Sequence, residues 1–586
     1  MSRSYRAVAR ARAQGNDLRH LWVWLSFLIL FAVLAFAPLA HAAKEIIRGN
    51  AGEPKSLDPH RATGTWENNI IGDMMLGLYT EAADAEPILG AADDAKTSPD
   101  GLRWTFHIRP HTWSDGKPVV ASDFVFAMKR ILDPKFAAEY REILYPIKNA
   151  YKISSGAVPV DQLGVTAPDD QTLIIDLENP APYLPQLLTH YTTFALPQHV
   201  VEKHQSDWVK PGKIVSNGPF MLLEWRPHDH ITLVKNPKFY DAANVKLDRV
   251  TYLPIEDDLT ALRRYRAGEL DLQERWPLTE QKWLKQHIPN EARSFIYLSV
   301  TYTTFNMTRK PFNDFRVRKA IALAIDRQRI GNEVFFGAYG KEAFSFLPPG
   351  LAGVEYLAEV PYAKTPMPAR IEEAKKLLAE AGYGPNKPLK FTYNFIGFPD
   401  AKRSAIAIQE MMQKIGVSME LLAAEPKVHY DALKTKSYEA ANAAWVFDYS
   451  DAKNILYLFE SSTEQQNYPG YKNPEYDQLM KSADAEPDGA KRAKLLGQAN
   501  ALLMRDLPAA PVFHQFQRSL VKPYVLGFVE NPRTIFRSRW MDIGDKPGPA
   551  GTAGGTDGGA QASEGGFWSW LGSWFSYDAW QKWWNS

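Results

Sequence analysis

The sequence predicts an α/β fold that is divided into more than one domain. Short β-rich runs alternate with amphipathic helical stretches from about residue 45 to residue 540, and such alternation is typical of α/β proteins. The chain has 586 residues, which is more than a single hydrophobic core usually supports. Its 45% of hydrophobic and 23% of charged residues are ordinary values for a globular protein.

Three runs illustrate the predicted strands. Residues 104–108 alternate with a period of two, which indicates a strand with one buried face. Residues 172–177 form an apolar run of the kind found in buried strands, and residues 231–234 form a third strand.

Two longer stretches have helical periodicity. They cover residues 316–330 and 369–381, and Gly382 is expected to end the second as its C-cap residue. A further helix is expected after residue 121, with Ser122 as its N-cap.

The first 42 residues are predicted to be a Sec-type signal peptide. An arginine-rich start leads into an apolar run at 21–39, and Ala40-His41-Ala42 then supplies the small residues that a signal peptidase reads. An uncleaved membrane anchor is the alternative, because the run approaches the ~20 residues that span a bilayer. Pro38 and the small-residue site favour cleavage.

Charge and cysteine content narrow the class of protein further. The net charge of +1 becomes slightly negative without residues 1–42, so nucleic-acid binding is not expected. The absence of cysteine excludes disulfides and a lipid-modified N-terminal cysteine. We therefore expect a soluble periplasmic protein of a Gram-negative bacterium.

The C-terminal part of the chain changes composition sharply. Residues 541–566 are predicted to be a flexible linker rich in Gly, Ala, Pro and Ser. Residues 567–586 hold many tryptophans, which favour a membrane–water boundary or a cleft for flat amphipathic rings. This tail is expected either to contact a membrane surface or a partner, or to fold back on its own domain.

Four motifs follow one another in a fixed order: EPKSLDPH at 53–60, WSDGKPV at 113–119, SNGPF at 216–220 and PFNDFRVRKA at 311–320. Singly, each is ordinary turn or helix-capping chemistry. Together, the chain resembles the extracytoplasmic oligopeptide-binding proteins of ABC importers from about residue 46 to about residue 540.

This resemblance implies a clamshell of two α/β lobes with an extra domain inserted in the N-terminal lobe. The implied N-terminal lobe comprises residues 43–75, 200–305 and 509–540, the inserted domain residues 76–199, and the C-terminal lobe residues 306–508. Lobe closure would bury a short peptide and present a surface to the inner-membrane permease. The resemblance implies a monomer that needs no cofactor or metal.

The resemblance also places residues in the ligand cleft. Asp448 lies in the run Trp445–Tyr449, where the family has an aspartate that binds the α-ammonium of the peptide; the alternative is an aspartate that caps a turn. Trp445 and Tyr449 are expected in the cleft or in the core. Candidates with a looser match are Tyr140, Thr63 and Thr65.

One departure from the family concerns the ligand carboxylate. Family arginines that help to receive this group align with Asn442 and Leu433, and a guanidinium suits that task because it bonds a carboxylate at two points. Lys427 and Lys434 are near these two positions in sequence and are candidate substitutes for the missing arginines. The ligand is therefore expected to be a modified peptide, such as a murein peptide, or one whose carboxylate is held elsewhere.

Enzymes and other kinds of binding protein are the alternatives to a peptide binder. Hydrolase, metalloprotease and phosphate-loop motifs are absent from the sequence. His228 and His230 suggest a metal site but fit a solvated loop better. The remaining alternatives are a peptide-sensing adaptor for a signalling partner, or the same fold with a dipeptide, haem or metal-chelate cargo.

Overall fold

The computed structural model describes residues 43–351, 358–463 and 465–546. The predicted signal peptide, most of the predicted linker and the tryptophan-rich tail lie outside these residues. The chain divides into two units, Met1–Gly544 and Asp545–Ser586. Every helix and strand described below lies in the first unit.

Twenty strands are present in the described residues. In chain order they are β1 Glu45–Asn50, β2 Tyr79–Glu81, β3 Pro87–Leu89, β4 Ala92–Thr97, β5 Arg103–Ile108, β6 Val165–Thr166, β7 Thr172–Asp176, β8 Phe220–Arg226, β9 His230–Lys235, β10 Arg249–Pro254, β11 Leu272–Gln273, β12 Ala292–Ile296, β13 Ser299–Phe305, β14 Gly340–Glu342, β15 Lys390–Ile396, β16 Ser418–Ala424, β17 Ala440–Val446, β18 Ala509–Val521, β19 Val525–Leu526 and β20 Asp542–Ile543.

The α-helices lie between these strands and pack on the sheets. They are Thr65–Met74, Ala121–Leu132, Ala150–Ser154, Leu184–Leu187, Gln198–His204, Asp258–Arg266, Gln281–His287, Phe315–Ala324, Arg327–Arg329, Met367–Glu380, Pro399–Lys414, Pro426–Lys434, Lys453–Leu456, Pro474–Ala485 and Gly489–Asp506. Short 3₁₀ turns and one π-helical turn, Ile330–Val334, complete the helical structure.

One large mixed sheet links most of the strands, in the order β16-β15-β17-β13-β18-β11-β1-β10-β9-β8, and β12 and β14 also pair with β18. Parallel pairs such as β15 and β16 are joined by a crossover helix, as parallel strands require. This arrangement of a mixed sheet and crossover helices confirms the predicted α/β class.

The long strand β18 connects the two parts of this sheet. Its first residues pair with β13, and its last residues pair with β12 and β11. Beside it, the chain passes from β12 to β13 through Tyr297, whose amide donates a hydrogen bond of 3.0 Å to the carbonyl of Gln515. Strand β18 and the antiparallel segment that runs from β12 to β13 therefore both connect the two parts of the sheet.

A separate four-stranded sheet, β4-β5-β7-β6, lies within residues 76–199. The helix Ala121–Leu132 packs against β6 and β7. Its N-cap residue is Val120, whose amide bonds the carboxylate of Asp123 at 3.2 Å, so the prediction that Ser122 caps this helix is wrong. The side chain of Asp123 is longer than that of Ser122, so it reaches back to the amide of Val120. It also accepts a hydrogen bond from the Trp113 indole.

Two apolar clusters form the core of the described residues. One joins residues 46–252 to residues 521–543, and the other lies almost wholly within residues 255–513. The division into two cores agrees with a chain that is too long for one.

The predicted strands are present as β5, β7 and β9, with β7 ending one residue earlier than predicted, and the helix predicted at 369–381 is present as Met367–Glu380. Gly382 follows it with a φ of 86°, as a C-terminal glycine should. The helix predicted at 316–330 ends at Ala324 instead, because Asp326 caps a new turn through the amide of Arg329. Residues 542–543 form β20, so the predicted linker at 541–566 starts too early.

The sequence motifs supply contacts that hold this framework together. Asp58 accepts two hydrogen bonds from Arg130, at 3.0 and 2.6 Å, and one from the Trp208 indole at 3.2 Å. Asn306 binds the carbonyls of Lys436 and Tyr438, each at 2.8 Å. These residues join segments that are distant in sequence.

The described part of the chain contains neither a membrane-spanning helix nor a cluster of metal ligands. None of its helices has the length and apolarity needed to cross a bilayer. The same residues contain no group of three or more potential metal ligands. His230 instead contacts Glu224 and Asp229 at the turn between β8 and β9.

Candidate ligand-binding site

Asp448 lies two residues after the end of strand β17 and is only partly exposed. Its carboxylate accepts hydrogen bonds from the Tyr140 hydroxyl and from the Asn454 amide, the latter at 3.4 Å. Burial raises the pKa of this carboxyl, and the two hydrogen bonds and the more distant Arg533 oppose that rise. Within the described residues, no Lys, Arg or His nitrogen lies within ion-pairing distance of Asp448.

Tyrosines surround this carboxylate on several sides. The residues within its electrostatic reach are Tyr140, Tyr191, Tyr297, Tyr449 and Tyr457. Burial raises the pKa of each of these hydroxyls, so all remain neutral donors at physiological pH. Arg533 also lies within the electrostatic reach of this acid but not within ion-pairing distance, so Asp448 is free to receive a cation from outside the protein.

Asn454 connects two of the predicted site residues. Its side-chain oxygen accepts a hydrogen bond of 2.8 Å from the Trp445 indole and one of 3.3 Å from the backbone amide of Asp448. The Trp445 ring also meets Tyr457 edge to face at 6.0 Å. Trp445 and Asp448 are thus both held by the buried Asn454 side chain, which sequence reasoning missed because an asparagine in the short helix Lys453–Leu456 has no distinctive pattern.

Tyr449 stacks on Tyr183, with ring centroids 4.8 Å apart and planes 7° from parallel. The Arg492 guanidinium lies 5.1 Å from the Tyr183 ring and pairs with Asp451 at 2.6 Å. Tyr183 belongs to the stretch at 76–199, and its two ring contacts, Tyr449 and Arg492, belong to the stretch at 306–508. We name the stacked rings of Tyr183 and Tyr449 the tyrosine latch.

The remaining predicted site residues lie apart from this cluster. Asn442 uses its backbone carbonyl to accept a 2.8 Å bond from His429, and Leu433 is fully buried in the core. Thr63 and Thr65 are exposed at the start of the helix Thr65–Met74.

Lys427 and Lys434 are both exposed on the helix Pro426–Lys434. Neither makes an ion pair with a described residue. Among the residues predicted from sequence, the structure thus joins Tyr140, Trp445, Asp448 and Tyr449 and leaves the others separate.

The tyrosine latch yields a testable coupling energy. Aromatic stacking contributes about 0.5–1.5 kcal/mol beyond area burial. Tyr183→Ala and Tyr449→Ala should therefore show an interaction free energy of that size in a double-mutant cycle measured by denaturant unfolding. Tyr183→Ala combined with Tyr151→Ala, which removes an exposed ring, should be additive. A coupling below about 0.3 kcal/mol for the latch would contradict the stacked geometry.

The chain is similar to known proteins over most of its length. The family described as bacterial extracellular solute-binding proteins, family 5 Middle, matches residues 86–467. The periplasmic oligopeptide-binding protein OppA of Salmonella typhimurium is 36% identical over 488 residues, which cover 82% of this chain and 89% of that protein.

Two solved structures are similar over most of the chain. OppA of Haemophilus influenzae in complex with RPPGFSPFR has a TM-score of 0.74 and 34% identity, and covers 86% of this chain and 99% of its own. The Escherichia coli murein tripeptide binding protein MppA has a TM-score of 0.75 and 33% identity, with 86% and 99% covered.

These matches confirm both the family resemblance and the two-lobed α/β fold class. They also confirm that the chain is of a binding class rather than an enzyme class, because the family consists of solute-binding proteins. The chain belongs to the bacterial extracellular solute-binding proteins, family 5.

Proposed function

We propose that this protein captures short peptides between its two lobes and delivers them to the permease of an ABC importer. The observation that carries the proposal is the Asp448 carboxylate, which is largely buried, lacks a cationic partner among the described residues and is surrounded by tyrosines. A peptide brings the missing cation as its α-ammonium group. The names of the relatives, which are oligopeptide- and murein-peptide-binding proteins, support this choice of ligand.

The physical reason is the cost of an unpaired charge. An ionised carboxylate that is removed from water without a partner is unfavourable, and an ammonium that hydrogen-bonds to it offsets that cost. Asn454 and Tyr140 already satisfy part of the carboxylate, which leaves lone pairs for a third donor. The desolvation of the Asp448 carboxylate and its remaining capacity to accept hydrogen bonds therefore both favour a peptide ammonium as its partner.

Aromatic side chains near Asp448 suit the rest of a peptide. We propose that Trp445 and Tyr449 contact the ligand backbone or side chains, and that Thr63, Thr65 and Asn442 lie along the cleft wall. Main-chain hydrogen bonds are common to all peptides, and ordered water adapts to different side chains. Broad sequence tolerance is the expected consequence.

We propose the periplasm as the compartment and a monomer as the working form. The predicted signal peptide at 1–42, the absence of cysteine and the periplasmic names of the relatives support this location. The domain boundaries inferred from the resemblance belong to the same proposal. The tryptophan-rich tail at 567–586 would contact the membrane surface near the permease, since tryptophan favours that boundary.

Native mass spectrometry of the purified protein tests the proposal directly. The expected result is a set of co-purifying short peptides, and calorimetry with the recovered peptides should give affinities that fall on N-acetylation. Recovery of only a non-peptide solute, with no binding of a short-peptide library, would overturn it. A peptide-hydrolysis assay on the same sample should detect no product.

The pH dependence of binding follows from the raised pKa of Asp448. The peptide ammonium binds the ionised carboxylate, so a proton on Asp448 competes with it. Affinity should be highest where Asp448 is ionised and fall by up to about tenfold per pH unit once the pH drops below the pKa of Asp448. Calorimetry between pH 4 and pH 7.5 measures this fall, and Asp448→Asn should abolish it. Equal slopes in both proteins would contradict the assignment.

A further inference from the structure

Arg533 is a cation beside the candidate site for which the proposed function has no role. Its guanidinium lies within the electrostatic reach of the Asp448 carboxylate, although the two groups are too far apart for an ion pair. The residue is partly exposed, yet burial by the surrounding protein lowers its pKa. A charged group that is both desolvated and accessible is typical of the wall of a cleft.

A first set of contacts connects Arg533 to the wall around Asp448 through Thr189. The guanidinium donates a hydrogen bond of 3.2 Å to the Thr189 hydroxyl. The next residue, His190, meets the Tyr140 ring edge to face, with centroids 5.4 Å apart. Tyr140 in turn donates its hydroxyl hydrogen to the Asp448 carboxylate.

A second set of contacts runs through Thr534, the neighbour of Arg533 in sequence. The side chain of Thr534 hydrogen-bonds the Tyr297 hydroxyl, and Tyr297 lies within the electrostatic reach of Asp448. Two independent connections therefore place Arg533 beside the tyrosines that surround Asp448.

The acids near this guanidinium compensate its charge only in part. Besides Asp448 they are Glu81 and Glu86. Glu81 is engaged by Arg537 through two hydrogen bonds of 3.0 and 3.1 Å, and Arg537 repels Arg533. Glu86 is exposed. No carboxylate of the described residues comes within ion-pairing distance of Arg533, so its charge is open to a further anion.

The hydrogen bonds of Arg533 hold its guanidinium in place and leave most of its donors unused. Besides the bond to Thr189, it donates one of 3.2 Å to the carbonyl of Ala85. A guanidinium has five N–H donors, so two bonds to described residues leave three for another acceptor. A carboxylate suits such a group because it accepts two parallel hydrogen bonds.

We propose that Arg533 binds a carboxylate that the ligand carries close to its α-ammonium group, as a peptide with an acidic first residue does. This assignment rests on the proposed function, in which Asp448 binds the ammonium. The resemblance assigns Arg533 and Asp448 to different lobes. A ligand residue that carries both charges would therefore pair with both lobes at once and favour their closure.

Calorimetry with tripeptide amides tests the assignment, because amidation leaves the side chain as the only carboxylate. Glu-Ala-Ala-amide should bind the wild type about tenfold more tightly than Gln-Ala-Ala-amide. Ala-Ala-Glu-amide carries the same carboxylate far from the ammonium and should bind like the glutamine peptide. Equal affinities of all three peptides would contradict a cation next to the ammonium site.

Variants identify the residue that is responsible for the preference. Arg533→Gln should bind the glutamate and glutamine peptides within about twofold of each other and keep the penalty for N-acetylation. Arg533→Lys keeps the charge without the fork and should keep part of the preference. Arg309→Gln removes an exposed guanidinium and should keep all of it. If Arg533 only supported the fold, Arg533→Gln would weaken both peptides by the same factor.

A dipeptide provides the second source of a carboxylate near the ammonium, namely its own C-terminus. Ala-Ala is therefore compared with Ala-Ala-amide on the wild type and on Arg533→Gln. A preference for the acid that is lost in the variant, without a preference for the glutamate peptide, would assign Arg533 to the terminal carboxylate of dipeptides.

The outcomes separate this assignment from the proposed function. If the wild type prefers neither form of carboxylate, or if Arg533→Gln keeps the preference, the assignment fails while peptide binding stands. If no peptide binds in any form, both fail together. The wild-type comparison needs no variant and Arg533→Lys retains the charge, so a folding defect in Arg533→Gln leaves the test intact.

Discussion

Replacement of Asp448 by asparagine is expected to weaken the binding of peptides with a free amino terminus by about 30- to 5000-fold. Truncating one member of a buried, hydrogen-bonded charge pair costs about 2–5 kcal/mol, much of it from the charge left without a partner. Asparagine keeps the shape of the side chain and its contact with Asn454. The loss of affinity therefore measures the contribution of the charge and not that of the packing. Calorimetry with a recovered peptide measures it.

A matched control and a matched ligand sharpen this test. Asp431→Asn removes an exposed carboxylate in the same stretch of the chain and should leave affinity unchanged. N-acetyl peptides, which lack the ammonium, should bind wild type and Asp448→Asn with similar weak affinity. An unchanged affinity of Asp448→Asn for free-amine peptides would disprove the ammonium role.

Replacement of Glu81 by alanine is expected to lower the free energy of unfolding by about 3–5 kcal/mol. Glu81 and Arg537 are both almost completely buried, and their two hydrogen bonds measure 3.0 and 3.1 Å. The attraction of Arg537 holds the pKa of Glu81 below its usual value despite burial. Removal of the acid leaves an arginine in the core with no charged partner.

The effect should be visible in the midpoint of chemical denaturation. Glu86→Ala, at an exposed position five residues away, should change stability by less than about 0.5 kcal/mol. Arg537 also hydrogen-bonds the carbonyl of Asn68 at 2.8 Å, so part of its environment survives in the variant. A midpoint equal to that of the wild type would show that the pair contributes no net stability.

Much of the fold was predictable because local patterns and framework motifs both point to it. Alternation by two and a capping glycine identified strands and one helix, since those signals lie within a few residues. The four motifs together predicted the family, and the one around Asp58 holds distant segments together. The end of the helix before Ile325 was not predicted from the sequence. It depends on Asp326, which caps a new turn through the amide of Arg329, and on the buried Arg327, which donates to a carbonyl that is distant in sequence.

The site was predictable only in part. Asp448 and Trp445 were found through the resemblance, which carries position along with residue type. Tyr183 meets Tyr449 across more than 260 positions of sequence, and no local pattern encodes such a contact.

The crystal structure of the protein with a co-purified peptide tests the central claim most directly. We predict an extended peptide between the two stretches that meet at strand β18, with its α-ammonium nitrogen within hydrogen-bonding distance, about 2.7–3.2 Å, of an Asp448 carboxylate oxygen. A ligand bound elsewhere, or a peptide whose amino terminus lies away from that acid, would contradict the account.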